Sequence, residues 1–79
     1  MNSHLTDEIE AMIESSPEFV FEMINYYGVD AFSRGFTRAS AEYRRIYPEE
    51  DFIIPSRAEI AKAVIDAYKT PEKRNGLGE

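Results

Sequence analysis

Apolar side chains recur along this chain at intervals of three and four residues, the period of a helix with one buried face. Leu5, Ile9, Met12 and Ile13 share a face and predict a first helix over 5–15. Ser3 or Thr6 can cap it, and Asp7 and Glu8 then fall in its first turn, where carboxylates favour the positive end of the helix dipole. Ser16 before Pro17 reads as an N-cap followed by proline at the first helical position, which opens a second helix over 17–27. Phe19, Val20, Met23, Ile24 and Tyr27 form its apolar face, and Gly28 supplies a permissive stop. Asp30 can cap a third helix over 31–47, ended by Pro48. Its stripe of Phe32, Phe36, Ala39, Tyr43, Ile46 and Tyr47 projects within roughly 100°. Gly35 costs this helix up to about 1 kcal/mol relative to Ala, which points to a close crossing by a neighbouring helix.

Residues 48–55 form a loop bounded by Pro48 and Pro55, with Phe52 to Ile54 pinning it to the core. Ser56-Arg57-Ala58-Glu59 is a capping box and opens a fourth helix over 57–69, with Ile60, Ala61, Val64, Ile65 and Tyr68 on its apolar face. Thr70-Pro71 ends it, and the polar residues 71–79 read as a disordered tail. The expected fold is all-α: a compact bundle of four unequal helices in one domain over 1–70, followed by a flexible tail over 71–79. With 79 residues, 43% of them hydrophobic and ten of them Phe or Tyr, the chain has a modest core. Domains of this size often lean on a partner or a second copy.

Composition narrows the chemistry. The absence of cysteine excludes disulfides, thiolate metal sites and thiol nucleophiles, and the expected location is cytoplasmic. No apolar run approaches a membrane span, and Met1 to His4 lacks the features of a signal peptide. His4 is the sole histidine and lies near the terminus, so no nucleophile has a base within reach. Glu49-Glu50-Asp51 lacks the alternating spacing of a calcium loop, and no phosphate-binding glycine loop occurs. No catalytic residue, cofactor or metal is expected. Arg57-Ala58-Glu59-Ile60-Ala61 resembles the opening of a helix-turn-helix, but Lys62 to Ala67 continues the helix where that motif turns.

Charge carries the remaining information. The net charge is −6, yet residues 1–33 hold seven acids and neither Lys nor Arg. Residues 34–48 then hold Arg34, Arg38, Arg44 and Arg45 against Glu42 alone. In projection Asp7, Glu10 and Glu14 lie together opposite the apolar face of the first helix, and Glu18 and Glu22 share a side of the second. Arg34, Arg38 and Arg45 cluster opposite the Phe32/Phe36/Tyr43 stripe, facing either solvent or the acids of the first two helices. Phe21 fits its helix worst, projecting toward Glu18, Glu22 and Asn25, and Tyr26 is similarly placed. Charged helix faces most often serve only to keep a small domain in solution, but such surfaces normally intersperse both signs.

These features point to a non-enzymatic interaction module that binds another protein, with Asp7, Glu10, Glu14, Glu18, Glu22, Phe21, Arg34, Arg38 and Arg45 as candidate partner-binding residues. In general style a small, acidic, cysteine-free helical chain is similar to phage and mobile-element inhibitors, including anti-CRISPR and anti-restriction proteins. That resemblance implies a partner with a basic, nucleic-acid-binding surface; it is compositional and transfers no residue roles. A regulator touching nucleic acid through Arg34, Arg38 and Arg45 ranks second, and a homodimeric assembly module third.

Overall fold

The computed structural model describes the backbone from Ser3 to Thr70 and the side chains from Thr6 to Thr70. Among these residues there are three helices and no strand: α1 (Ser3–Ser15), α2 (Pro17–Ile46) and α3 (Arg57–Lys69). The side chains of His4 and Leu5, and the tail expected over 71–79, lie outside the described residues. No helix among them is long and apolar enough to cross a membrane.

The expectation of four helices is corrected to three, and the reason is a single residue. Gly28 takes φ 96° and ψ 157°, a backbone conformation open in practice only to glycine. It absorbs the whole change of direction, so the second and third expected helices are two limbs of one kinked α2 with no loop between them. Asp30 consequently lies inside α2 and caps nothing; its carboxylate pairs with Arg34 instead. A second correction falls at the start of α1. That helix begins at Ser3, which puts Thr6 inside it and moves Asp7 and Glu8 beyond its first turn.

Other boundaries follow the local chemistry. Ser16 alone separates α1 from α2: its N–H donates to the Met12 carbonyl at 2.8 Å and its own carbonyl accepts from Val20 at 3.1 Å. Pro17 takes the first helical position, while the Ser16 side chain makes no capping bond. At α3, Ser56 Oγ accepts from the Glu59 N–H at 3.2 Å. The reciprocal half of the capping box is replaced, because the Ser56 N–H is directed at Tyr43 Oη, 3.4 Å away.

The core gathers Met12 of α1, Val20, Phe32 and Phe36 of α2, and Ile60 and Val64 of α3, with Phe36, Ile60 and Val64 fully buried. Ile54 and Pro55 anchor the loop between α2 and α3, whereas Phe52 stays exposed. Each outer helix buries a face rotated from the one its apolar residues suggest. In α1 Met12 and Glu8 are buried and Ile13 is exposed; in α3 Ile60, Val64 and Ala67 are buried and Tyr68 is exposed. Ile46 and Tyr47, at the end of the α2 stripe, are also exposed.

Gly35 is where α3 crosses α2. A methyl group there would stand 2.5 Å from Val64 Cα and 2.6 Å from Val64 N, so the crossing is closed against backbone, which cannot swing aside. Two effects compete in Gly35→Ala. Helix propensity favours alanine by about 1 kcal/mol, and overpacking at a backbone contact costs about 1–3 kcal/mol. The contact wins, and Gly35→Ala should lower the urea unfolding midpoint, while Ser33→Ala on the exposed side should leave it nearly unchanged. A stabilised Gly35→Ala protein would contradict the crossing.

Candidate interaction surface

Four ion pairs occur among the described residues, and every one draws its cation from the distal limb of α2. Arg34 Nε meets Asp30 at 3.0 Å, one turn away. Arg38 Nη1 reaches across to Asp66 of α3 at 2.9 Å. Arg45 pairs with Glu42, and that hydrogen bond together with the carboxylate charge holds the guanidinium above its ordinary pKa. The structure therefore places Arg34, Arg38 and Arg45 along the expected side of α2, but each faces a carboxylate, and none reaches the acids of α1 or of the first limb of α2.

The fourth pair differs in kind. Glu8 has no exposed surface, and its Oε2 accepts from Arg44 Nη2 at 2.8 Å and from the Ile53 N–H at 2.7 Å. One carboxylate oxygen thus joins α1, the end of α2 and the loop beyond it. Glu8 Oε1 and Ser40 Oγ are buried without a partner among the described residues. Such groups cost about 1–3 kcal/mol each, so the junction is sustained by the strength of its charged bonds. Neither Glu8 nor Arg44 was among the candidate residues. A signal was present: each lies at the border of its helix's apolar stripe, Glu8 beside Met12 and Arg44 one turn after Ser40, where a charge is drawn inward if an opposite one faces it.

With Glu8 turned inward, the rest of α1's acids turn out. Asp7, Glu10 and Glu14 are exposed, as are Glu18 and Glu22 on the first limb of α2, and none of the five forms an ion pair among the described residues. Phe21 lies beside Glu18 and Glu22 with 65% of its surface exposed. Its neighbours in sequence explain why it cannot retreat: Val20 is buried and Phe19, Met23 and Ile24 pack against the core, so the limb's inner face is fully occupied. Pro17, Glu18, Phe21 and Glu22 line a shallow cleft of about 370 Å³. Covering the exposed ring would contribute on the order of 1–2 kcal/mol to a complex. Further along the limb Tyr26 is 77% exposed, while Tyr27 packs edge-on against Tyr68 of α3 at 5.2 Å.

A second groove, of about 430 Å³, runs between the distal limb of α2 and α3. Arg38, Lys62 and Lys69 alternate there with Glu42, Glu59 and Asp66 over a floor that includes Ala39 and Ala63. Its interspersed signs are those of an ordinary solubilising surface, unlike the single-sign face around Phe21. Among the described residues no group of three or more His, Asp or Glu converges in the way metal ligands do. Comparison with known proteins returned no matching family model, no significantly similar curated protein and no significantly similar solved structure.

The contrast between buried and exposed pairs yields a stability prediction. Arg44→Ala strands a buried carboxylate on the Ile53 N–H alone and should cost about 3 kcal/mol. Arg38→Ala removes a pair whose side chains are 48% and 69% exposed, and should cost less than about 1 kcal/mol. Equal losses in chemical denaturation would mean that the Glu8 junction is no stronger than a surface contact.

Proposed function

We propose that this chain is a non-enzymatic interaction module that docks through the acidic face of α1 and the first limb of α2 onto a basic surface of another protein. The observation that carries this reading is the partition of charge: Asp30, Glu42, Asp66 and Glu8 engage the arginines, while among the described residues the five exposed acids of α1 and the first limb of α2 form no ion pair, and Glu18 and Glu22 flank an exposed Phe21. Unpaired charge of one sign speeds encounter with a surface of the other sign and selects against partners of like charge. A surface built to hold nucleic acid has the matching pattern, and covering it would block it, in the manner of small acidic inhibitors that compete with nucleic acid.

The same partition weighs against the two other readings. Contact with phosphates through Arg34, Arg38 and Arg45 would require each guanidinium to leave a carboxylate, in a chain of net charge −6. Symmetric pairing of two copies through the α1–α2 face would set acids against acids.

Capture from host lysate on three immobilised proteins tests the reading: wild type, an Asp7→Lys, Glu10→Lys, Glu14→Lys variant, and an Arg34→Ala, Arg38→Ala variant. The wild type and the arginine variant should retain the same protein, with or without nuclease treatment, and release it as salt rises; the acid-reversed variant should retain none. Retention that is lost with the arginines and abolished by nuclease would replace this reading with nucleic-acid binding.

A further inference from the structure

We infer that the cleft formed by Pro17, Glu18, Phe21 and Glu22 is a receptor for one arginine side chain of the partner; this rests on the acidic-face reading above and specifies its central contact. The cleft combines three elements. Its apolar wall is an aromatic ring with most of its surface open to solvent. Two carboxylates at its rim, Glu18 and Glu22, are exposed and without an ion pair among the described residues. Its position is fixed, because Pro17 sets the first helical residue and buried Val20 locks the orientation of the turn that bears Phe21.

A cation is drawn to the face of an aromatic ring by the ring's quadrupole. A guanidinium suits this cleft better than an ammonium, since its plane can lie flat on the Phe21 ring while its edge presents several N–H donors to carboxylates on either side. It also sheds water at lower cost, which matters where the wall is hydrocarbon. Among the described residues the opposing field is that of the amino end of α2, equivalent to roughly half a positive charge. Two full carboxylate charges at the rim exceed it, and Asp7, Glu10 and Glu14 add to the same sign over the wider face.

The test uses the full chain and three twelve-residue peptides in which alanine alternates with arginine, lysine or citrulline, the neutral isostere of arginine. Each is titrated at low salt and followed by heteronuclear NMR. The arginine peptide should bind several-fold more tightly than the lysine peptide, move the amide resonances of residues 17–22 and show ring-current shifts on its own side-chain methylenes; the citrulline peptide should not bind. Phe21→Ala and Phe21→Leu, both at an exposed position that leaves the fold unchanged, should each weaken the arginine peptide by about 3–10-fold and erase its advantage over lysine. Arginine and lysine peptides of equal affinity, indifferent to both substitutions and shifting chiefly Asp7, Glu10 and Glu14, would overturn the arginine receptor while leaving the acidic face as a docking surface. Failure of both cationic peptides to bind would overturn the receptor and the acidic-face reading together.

Discussion

A carboxylate with no access to water is costly to bury unless the protein supplies it with hydrogen bonds, and Glu8 draws its supply from two segments far from it in sequence. Arg44 gives a guanidinium from the end of α2, and Ile53 gives a backbone N–H from the loop that follows. Because the three groups meet at one oxygen, α1 cannot rotate about its own axis without breaking both bonds. That restriction matters because the apolar anchorage of α1 among the described side chains is small: Met12 is buried, Ile9 packs partly buried against the core, and Ile13 faces solvent. Glu8 thereby decides which side of α1 is inside. With Glu8 inward, the helical period carries Asp7, Glu10 and Glu14 outward.

The same economy governs the arginines. A chain with an excess of acids could have spread its cations over the whole surface, yet all four arginines of α2 meet carboxylates on or near the distal limb, and one of those carboxylates is buried. Segregation of this kind forgoes short-range pairs in α1 and in the first limb of α2, at a cost of a few tenths of a kcal/mol for each absent pair (~0.2–0.5). The kink at Gly28 marks the border between the two regions, so the two limbs of α2 divide into an acidic one and an ion-paired one. On the acidic limb the inner face is filled by Phe19, Val20, Met23 and Ile24, and among the described residues Phe21 is left exposed.

Much of the fold was legible from local signals because local physics sets it. The Ser56 cap and the start of α3 at Arg57 follow from a side chain bonding a backbone N–H three residues away, and Pro17 and Gly28 act through their own backbone restrictions. The close crossing at Gly35 was legible because a glycine inside a periodic helix requires a reason, and Val64 is that reason. The misfit of Phe21 was likewise visible as a ring projecting among acids. Two of the arginine pairs were also within reach, since Asp30 to Arg34 and Glu42 to Arg45 have helical spacing; treating Asp30 as a cap concealed the first. What could not be read locally were Arg38 with Asp66 and Arg44 with Glu8, which depend on how helices sit against one another. The number of helices was misjudged for a related reason: a glycine of positive φ looks the same in sequence whether it ends a helix or bends one.

The account stands on the Glu8–Arg44 junction as an interaction of the folded protein, and a double-mutant cycle measures it with least ambiguity. Glu8→Gln, Arg44→Met and the double variant should be compared with wild type by urea denaturation at neutral pH. A coupling free energy of about 1.5 kcal/mol or more, with the double variant more stable than the sum of the single losses implies, is the predicted result. Additive losses, within about 0.5 kcal/mol, would show that the two groups do not meet, and with that the orientation of α1 and the outward turn of its acids would lose their physical basis.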